Sequence, residues 1–229
     1  MGRKVQHNNI VTDELLSQVN QENVELGKDF LDYLRSVDRS PNTIDAYAHD
    51  LNIFWVYLLQ HCNNKFFIDL SKREISKYQS YCLTEWKWSP ARMRRVKSTL
   101  SSLSNYVENM LDDEFENFRP IIRRIENPVN EKVFTKTVLE DSQLEELLNI
   151  LVEKGKYDKA CMLSLAMNSG RRKSELPRFK VSYFNDDNII YGSLYKTPEQ
   201  IKTKGRGSRG KMLTVYVLSK PFKPYFDMW

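Results

Sequence analysis

Histidine is scarce in this chain of 229 residues: His7, His49 and His61 are the only three, so the C-terminal part has no imidazole at all. Cysteine is equally rare. Cys62, Cys82 and Cys161 are far apart, odd in number and set among apolar or aromatic residues. That argues against a disulfide framework and against a zinc site, and no metal or other cofactor is expected. No apolar run is long enough to span a bilayer. The opening "MGRKVQHNNIV" lacks the apolar core of a signal peptide. The chain is therefore expected in the cytoplasm, with no membrane partner. A phosphate-binding loop of the GxxxxGK[ST] type is also missing, which excludes that nucleotide chemistry, and no small-molecule substrate is indicated.

What is present is apolar residues at helical spacing. In "SPNTIDAYAHDLNIFWVYLL", Ile44, Tyr47, Leu51, Phe54, Trp55 and Leu58 recur at three and four residues, with Ser40 as cap and Pro41 in the first turn. "SKREISKYQSYCL" opens with Ser71 and has Glu74 three residues on, a capping box. "SPARMRRVKSTLSSLSNYV" repeats the Ser-Pro start at Ser89 and Pro90. These patterns predict a mobile arm over 1–22 and a bundle of about four helices over 23–116. A linker follows over 117–136, where Pro128 stands and helix periodicity is lost. From 137 to 229 a second domain begins with helices, the first capped by Ser142 with Glu145, the next stopped by Gly170. It ends in a β-hairpin or three-stranded sheet built from "NIIYGSLY" and "MLTVYVLS". The fold class is mainly α with a small sheet. Apolar residues run to Trp229, which predicts a chain that stops inside a domain.

Three basic constellations stand out. The helix after Pro90 has an apolar stripe of Val96, Leu100, Leu103, Val107 and Met110. Opposite lie Arg94, Arg95, Ser98, Ser101, Ser102 and Asn105, flanked by Arg92 and Lys97. Small hydroxyl residues allow close approach to a surface, and guanidinium forks suit phosphates and guanine edges, so double-stranded DNA is the expected partner of this face. "NSGRRKSEL" places Arg171, Arg172 and Lys173 beside Glu175, an arrangement suited to clamping a phosphate and equally compatible with a solvated helix end. "KTKGRGSRGK" is a Gly-rich turn with Lys202, Lys204, Arg206, Arg209 and Lys211. Residues 199–229 hold seven cations against Glu199 and Asp227, a surplus as large as the +5 of the whole chain.

Taken in order, these pieces resemble the tyrosine recombinases, the phage-integrase family. "SPNTIDAYAHDL" is similar to the family's core-binding helix at Ser40, Asn42, Thr43, Tyr47, Asp50 and Leu51. "SGRRKSEL" is similar to its T-G-x-R-x-S-E-L signature at Gly170, Arg172, Ser174, Glu175 and Leu176. Thr203-Lys204 resembles its hairpin lysine. The resemblance implies an N-terminal SAM-like helical core-binding domain and a truncated α+β catalytic domain. It implies site-specific DNA recombination and integration of a mobile element or phage, with copies assembling as a homo-oligomer on DNA in a nucleoid-associated location. Arg172 would clamp the scissile phosphate, Glu175 would orient it, and Lys204 would act as general acid, with Lys202 as the other candidate in that turn. Thr43, Tyr47, Arg92, Arg94, Arg95, Lys97, Ser98, Lys202, Arg206 and Arg209 would contact DNA.

Beyond the hairpin the sequence departs from the family. The H-x-x-R box and the nucleophilic Tyr near the C-terminus are missing; Tyr216 and Tyr225 come too early. Arg171 also stands where an apolar residue is usual. A concerted site without these parts is expected to bind DNA and not to cut it. The alternative is a non-catalytic DNA-binding regulator or architectural protein derived from a recombinase. A helical interaction protein with solvated basic faces is the third reading.

Overall fold

Proline in the first turn starts both long helices of the N-terminal half, α3 (Pro41–His61) and α5 (Pro90–Met110). Pro fixes φ at a helical value and lacks only an N–H that would have no helical partner there. The computed structural model describes residues 10–129, 138–205 and 210–229. The chain divides into two units, Met1–Val133 and Phe134–Trp229.

The first unit is built around α3. Residues 53–58 of that helix are all buried, so no side of it faces water there. Helices α2 (Gln21–Ser36), α4 (Lys72–Thr84) and α5 surround it, and Phe54, Tyr78, Leu100 and Leu103 fill the centre. Ser71 and Glu74 form the expected capping box on α4. Ser89 caps α5 by accepting from the Arg92 backbone N–H. The Ser40 hydroxyl makes no bond to the backbone of α3; it lies 2.8 Å from the Thr43 hydroxyl.

Two boundaries differ from expectation. A short helix α1 (Asp13–Ser17), capped by Thr12, stands inside the stretch expected as a mobile arm. Ile10, Val11, Leu16 and Val19 of that stretch pack on the core; they are too few to give a clear period, yet they bury. The stretch expected as a linker also starts inside the first unit. Ile122 is fully buried, with Phe118, Ile121 and Ile125 packed beside it. Their spacing is irregular because they lie in loop turns and one 3₁₀ turn, Ile122–Arg124, which helix periodicity does not detect. Residues 130–137 of the expected linker lie outside the described residues.

The second unit starts with α6 (Asp141–Glu153) and α7 (Tyr157–Ser169). The cap of α6 is Glu140, whose N–H donates to Gln143 at 3.0 Å, two residues before the expected Ser142. Gly170 ends α7 in the left-handed conformation, φ 61°, as expected. A three-stranded antiparallel sheet follows, in the order β1 (Ile189–Ile190), β2 (Leu194–Lys196), β5 (Tyr216–Leu218). A separate pair, β3 (Ile201–Thr203) and β4 (Lys211–Leu213), extends the β2/β5 hairpin after a break in register. Both forms of the expected β-structure are therefore present, and the basic turn joins β3 to β4. Helix α8 (Ser219–Met228) closes the chain, with Phe222 in a core of Cys161, Leu165, Leu176, Phe184, Tyr195 and Val217.

Candidate nucleic-acid interface

In the second unit the site forms where α7 stops. The left-handed Gly170 turns the chain, and residues 171–178 fold back with Leu176 buried in the core. That leaves Glu175 only 2% exposed. Its carboxylate gathers three donors: the Arg172 backbone N–H at 3.3 Å, the Arg172 Nη1 at 3.3 Å and the Lys204 backbone N–H at 3.0 Å. A buried carboxylate without such partners would be costly, so the two segments are tied at this point. The Lys204 N–H and then the Arg172 donors hold the Glu175 carboxyl below its usual range. The Arg172 side chain remains 64% exposed, and the Lys204 side chain is exposed.

The hairpin is fixed on the same side by Arg178, whose guanidinium donates to the Lys202 carbonyl. Thr203 is buried and its hydroxyl donates to the Lys211 carbonyl at 2.8 Å. The turn is tight. A Cβ on Gly205 would lie 2.7 Å from the Lys211 nitrogen, and Gly210, at φ 65°, has no room for one beside the Thr203 carbonyl. Glycine is needed at both positions for the strands to close. Arg206 and Arg209 lie outside the described residues.

In the first unit the face expected to meet DNA is only partly free. Lys97 is 6% exposed, and its ammonium donates to the Ile125 carbonyl, so it is a core strut. The helix wheel places it at an edge, and the chain returning through Ile122 and Ile125 covers that edge. Arg95 is forked onto Asp50, Nη1 to Oδ2 at 2.8 Å and Nη2 to Oδ1 at 2.7 Å. Arg92 stacks over the Trp88 ring at 4.1 Å, and burial, then the neighbouring Arg95, lowers its pKa. Arg94 is exposed and donates to the Pro128 carbonyl at 3.2 Å. Ser98 is exposed. The Tyr47 hydroxyl lies 3.4 Å from that of Ser102, which joins α3 and α5 at the surface, with Thr43 one turn away on α3. Met110, expected in the apolar stripe, is 49% exposed.

The sequence marks Asp50 as a position of the core-binding helix motif without giving it a role, and it does not mark Arg178. The signal for Asp50 was a carboxylate directly before the long apolar run of α3, which must find donors when buried. Arg178 carries no such signal. Among the described residues no group of three or more His, Cys, Asp or Glu is placed to hold a metal, and no helix is long and apolar enough to cross a membrane.

Residues 26–117 match the family model described as the phage integrase N-terminal SAM-like domain. The chain superimposes on the XerH site-specific recombinase in a pre-cleavage complex with difH substrate, with TM-score 0.57, 20% identity and 97% of this chain covered. A post-cleavage complex of XerH with a palindromic difH substrate gives TM-score 0.58, 18% identity and the same coverage. The fold is that of these recombinase chains, with a phage-integrase SAM-like N-terminal domain.

The SPbeta prophage-derived recombinase-like protein YomM of Bacillus subtilis (strain 168) is 28% identical over 222 residues, 96% of this chain. The chain spans 65% of YomM and 62–63% of the XerH chains. Within this recombinase-type fold the SAM-like domain is the α2–α5 bundle, and Arg172, Glu175 and Lys204 lie in the second unit. Tyr216 stands on β5 and Tyr225 on α8.

Proposed function

We propose that the chain binds duplex DNA through a basic surface on each unit, as part of a site-specific recombination system. In the second unit Arg172 clamps a backbone phosphate and Lys204 reaches the same phosphate from the hairpin as general acid, with Glu175 orienting both. In the first unit Thr43, Tyr47, Arg92, Arg94, Arg95 and Ser98 meet the duplex, and several copies assemble on it. The observation that carries this reading is the buried carboxylate of Glu175, which accepts from the Arg172 guanidinium and from the Lys204 backbone N–H. Bulk charge repulsion would separate two cationic segments; a shared carboxylate holds them side by side, as phosphate clamping requires.

We further propose that these residues bind without cleaving. No His follows His61, and no H-x-x-R box is present in the sequence. A phosphate clamp with one arginine and no placed nucleophile loses far more than the sum of the missing contacts. The test has two arms. Anisotropy with a labelled duplex should give binding that weakens steeply with salt; no binding at low salt would refute the DNA reading. Incubation with a nicked suicide duplex should give no covalent protein–DNA adduct; an adduct would show that cleavage is intact.

A further inference from the structure

The Asp50–Arg95 fork uses only one edge of the guanidinium. Asp50 has no exposed surface, and besides Arg95 it accepts from the Thr99 hydroxyl at 2.9 Å, so both of its oxygens are held. Arg95 is 49% exposed. A guanidinium has five N–H groups in a rigid plane. The fork to Asp50 takes one N–H from Nη1 and one from Nη2, the end of the plane. The side edge, Nε–H parallel to the second Nη2–H, has no partner among the described residues. That edge has the spacing of two phosphate oxygens.

Arg92 stands one turn earlier on α5, its guanidinium stacked on Trp88 and within electrostatic reach of Arg95. Two arginines are thus immobilised next to each other, one by a ring and one by a buried carboxylate. Their ordering cost is met on folding, before any ligand arrives. Arg94 and Ser98 on the same helix are exposed.

We propose that Asp50 is a positioning residue that presents the side edge of Arg95 to a DNA backbone phosphate, making Arg95 a preorganised clamp of the first unit. This rests on the DNA-binding reading and adds the mechanism by which α5 grips the backbone. A lysine at position 95 keeps one ionic contact to Asp50 and has no second edge to offer.

The test compares wild type with Arg95→Lys, using a fluorescein-labelled duplex of mixed sequence across a salt series, with far-ultraviolet circular dichroism as the check on folding. The variant should bind about 10-fold more weakly, and its slope of log affinity against log salt should fall by about 0.9, the signature of one lost phosphate contact. A strut without contact to DNA would leave that slope unchanged, and an unchanged slope and affinity overturn the proposal while the DNA-binding reading stands. Wild type that fails to bind at low salt refutes the underlying reading instead. Should Arg95→Lys fail to fold, the wild-type chain provides the measurement. The Arg95 Nε–H resonance should shift when duplex is added, and a resonance that stays in place while the duplex binds overturns the proposal.

Discussion

The backbone N–H of Lys204 lies 3.0 Å from Glu175 Oε1, although the two residues are 29 positions apart in the chain. The same oxygen accepts from the Arg172 guanidinium, so the Lys204 backbone and the Arg172 side chain are indexed to one atom. Neither can shift without disturbing the other.

Replacing Glu175 with Ala should therefore destabilise the second unit by about 2–6 kcal/mol, since two backbone N–H groups lose a partner at about 1–3 kcal/mol each. Urea unfolding of the full chain would measure it. Glu175→Gln should cost less, because its amide oxygen can still accept from Lys204.

Asp50→Ala should cost about 1–3 kcal/mol in the first unit, the range for leaving one buried polar group without its partner. Arg95 would turn into solvent, and the Thr99 hydroxyl, fully buried, would lose its acceptor. Thermal melting followed by circular dichroism is the measurement.

Gly210→Ala should open the basic turn. An alanine at φ 65° costs about 1–2 kcal/mol on backbone grounds alone, before its collision with the Thr203 carbonyl. Amide exchange across β3 and β4 should accelerate, while the three-stranded sheet keeps its protection.

Acid should loosen the start of α4. The Lys65 ammonium at 2.6 Å, with the Ser71 backbone N–H, holds the Glu74 carboxyl down at about 2, from an ordinary value of 4.5. The folded value is the lower one. The stabilisation is thus fully present above about 4.5 and is lost as pH falls towards about 2. Wild type should be more stable than Glu74→Gln at neutral pH, because the amide loses the charge paired with Lys65. The gap should close across that acidic window in melts at stepped pH.

The parts of the fold legible in the sequence were those with a local physical cause. Pro41, Pro90, the Ser71–Glu74 box and Gly170 mark helix ends by chemistry confined to one turn, and each stands where its type demands. What stayed hidden depends on segments far apart in the chain. Lys97 reads as a surface cation until Ile125 arrives to accept its hydrogen bond, and Arg95 reads as solvated until α3 supplies Asp50. Ile122 carries no period, yet it is fully buried because the chain after α5 folds back on the bundle. For the site, Arg172, Glu175 and Lys204 were recognisable as residue types. Their common hydrogen-bond centre was not, since nothing in "NSGRRKSEL" points to a hairpin 29 residues on.

The tie between Asp50, Arg95 and Thr99 also governs how the protein could be re-engineered. Positions on two different helices share one carboxylate, so the outer surface of α5 is not portable by itself. Transplanting that helix into another bundle would strand its arginine unless the host helix beside it supplied an acid at the level of Asp50. Conversely, a library that varies position 95 should vary position 50 with it, because each sets which side chains the other tolerates.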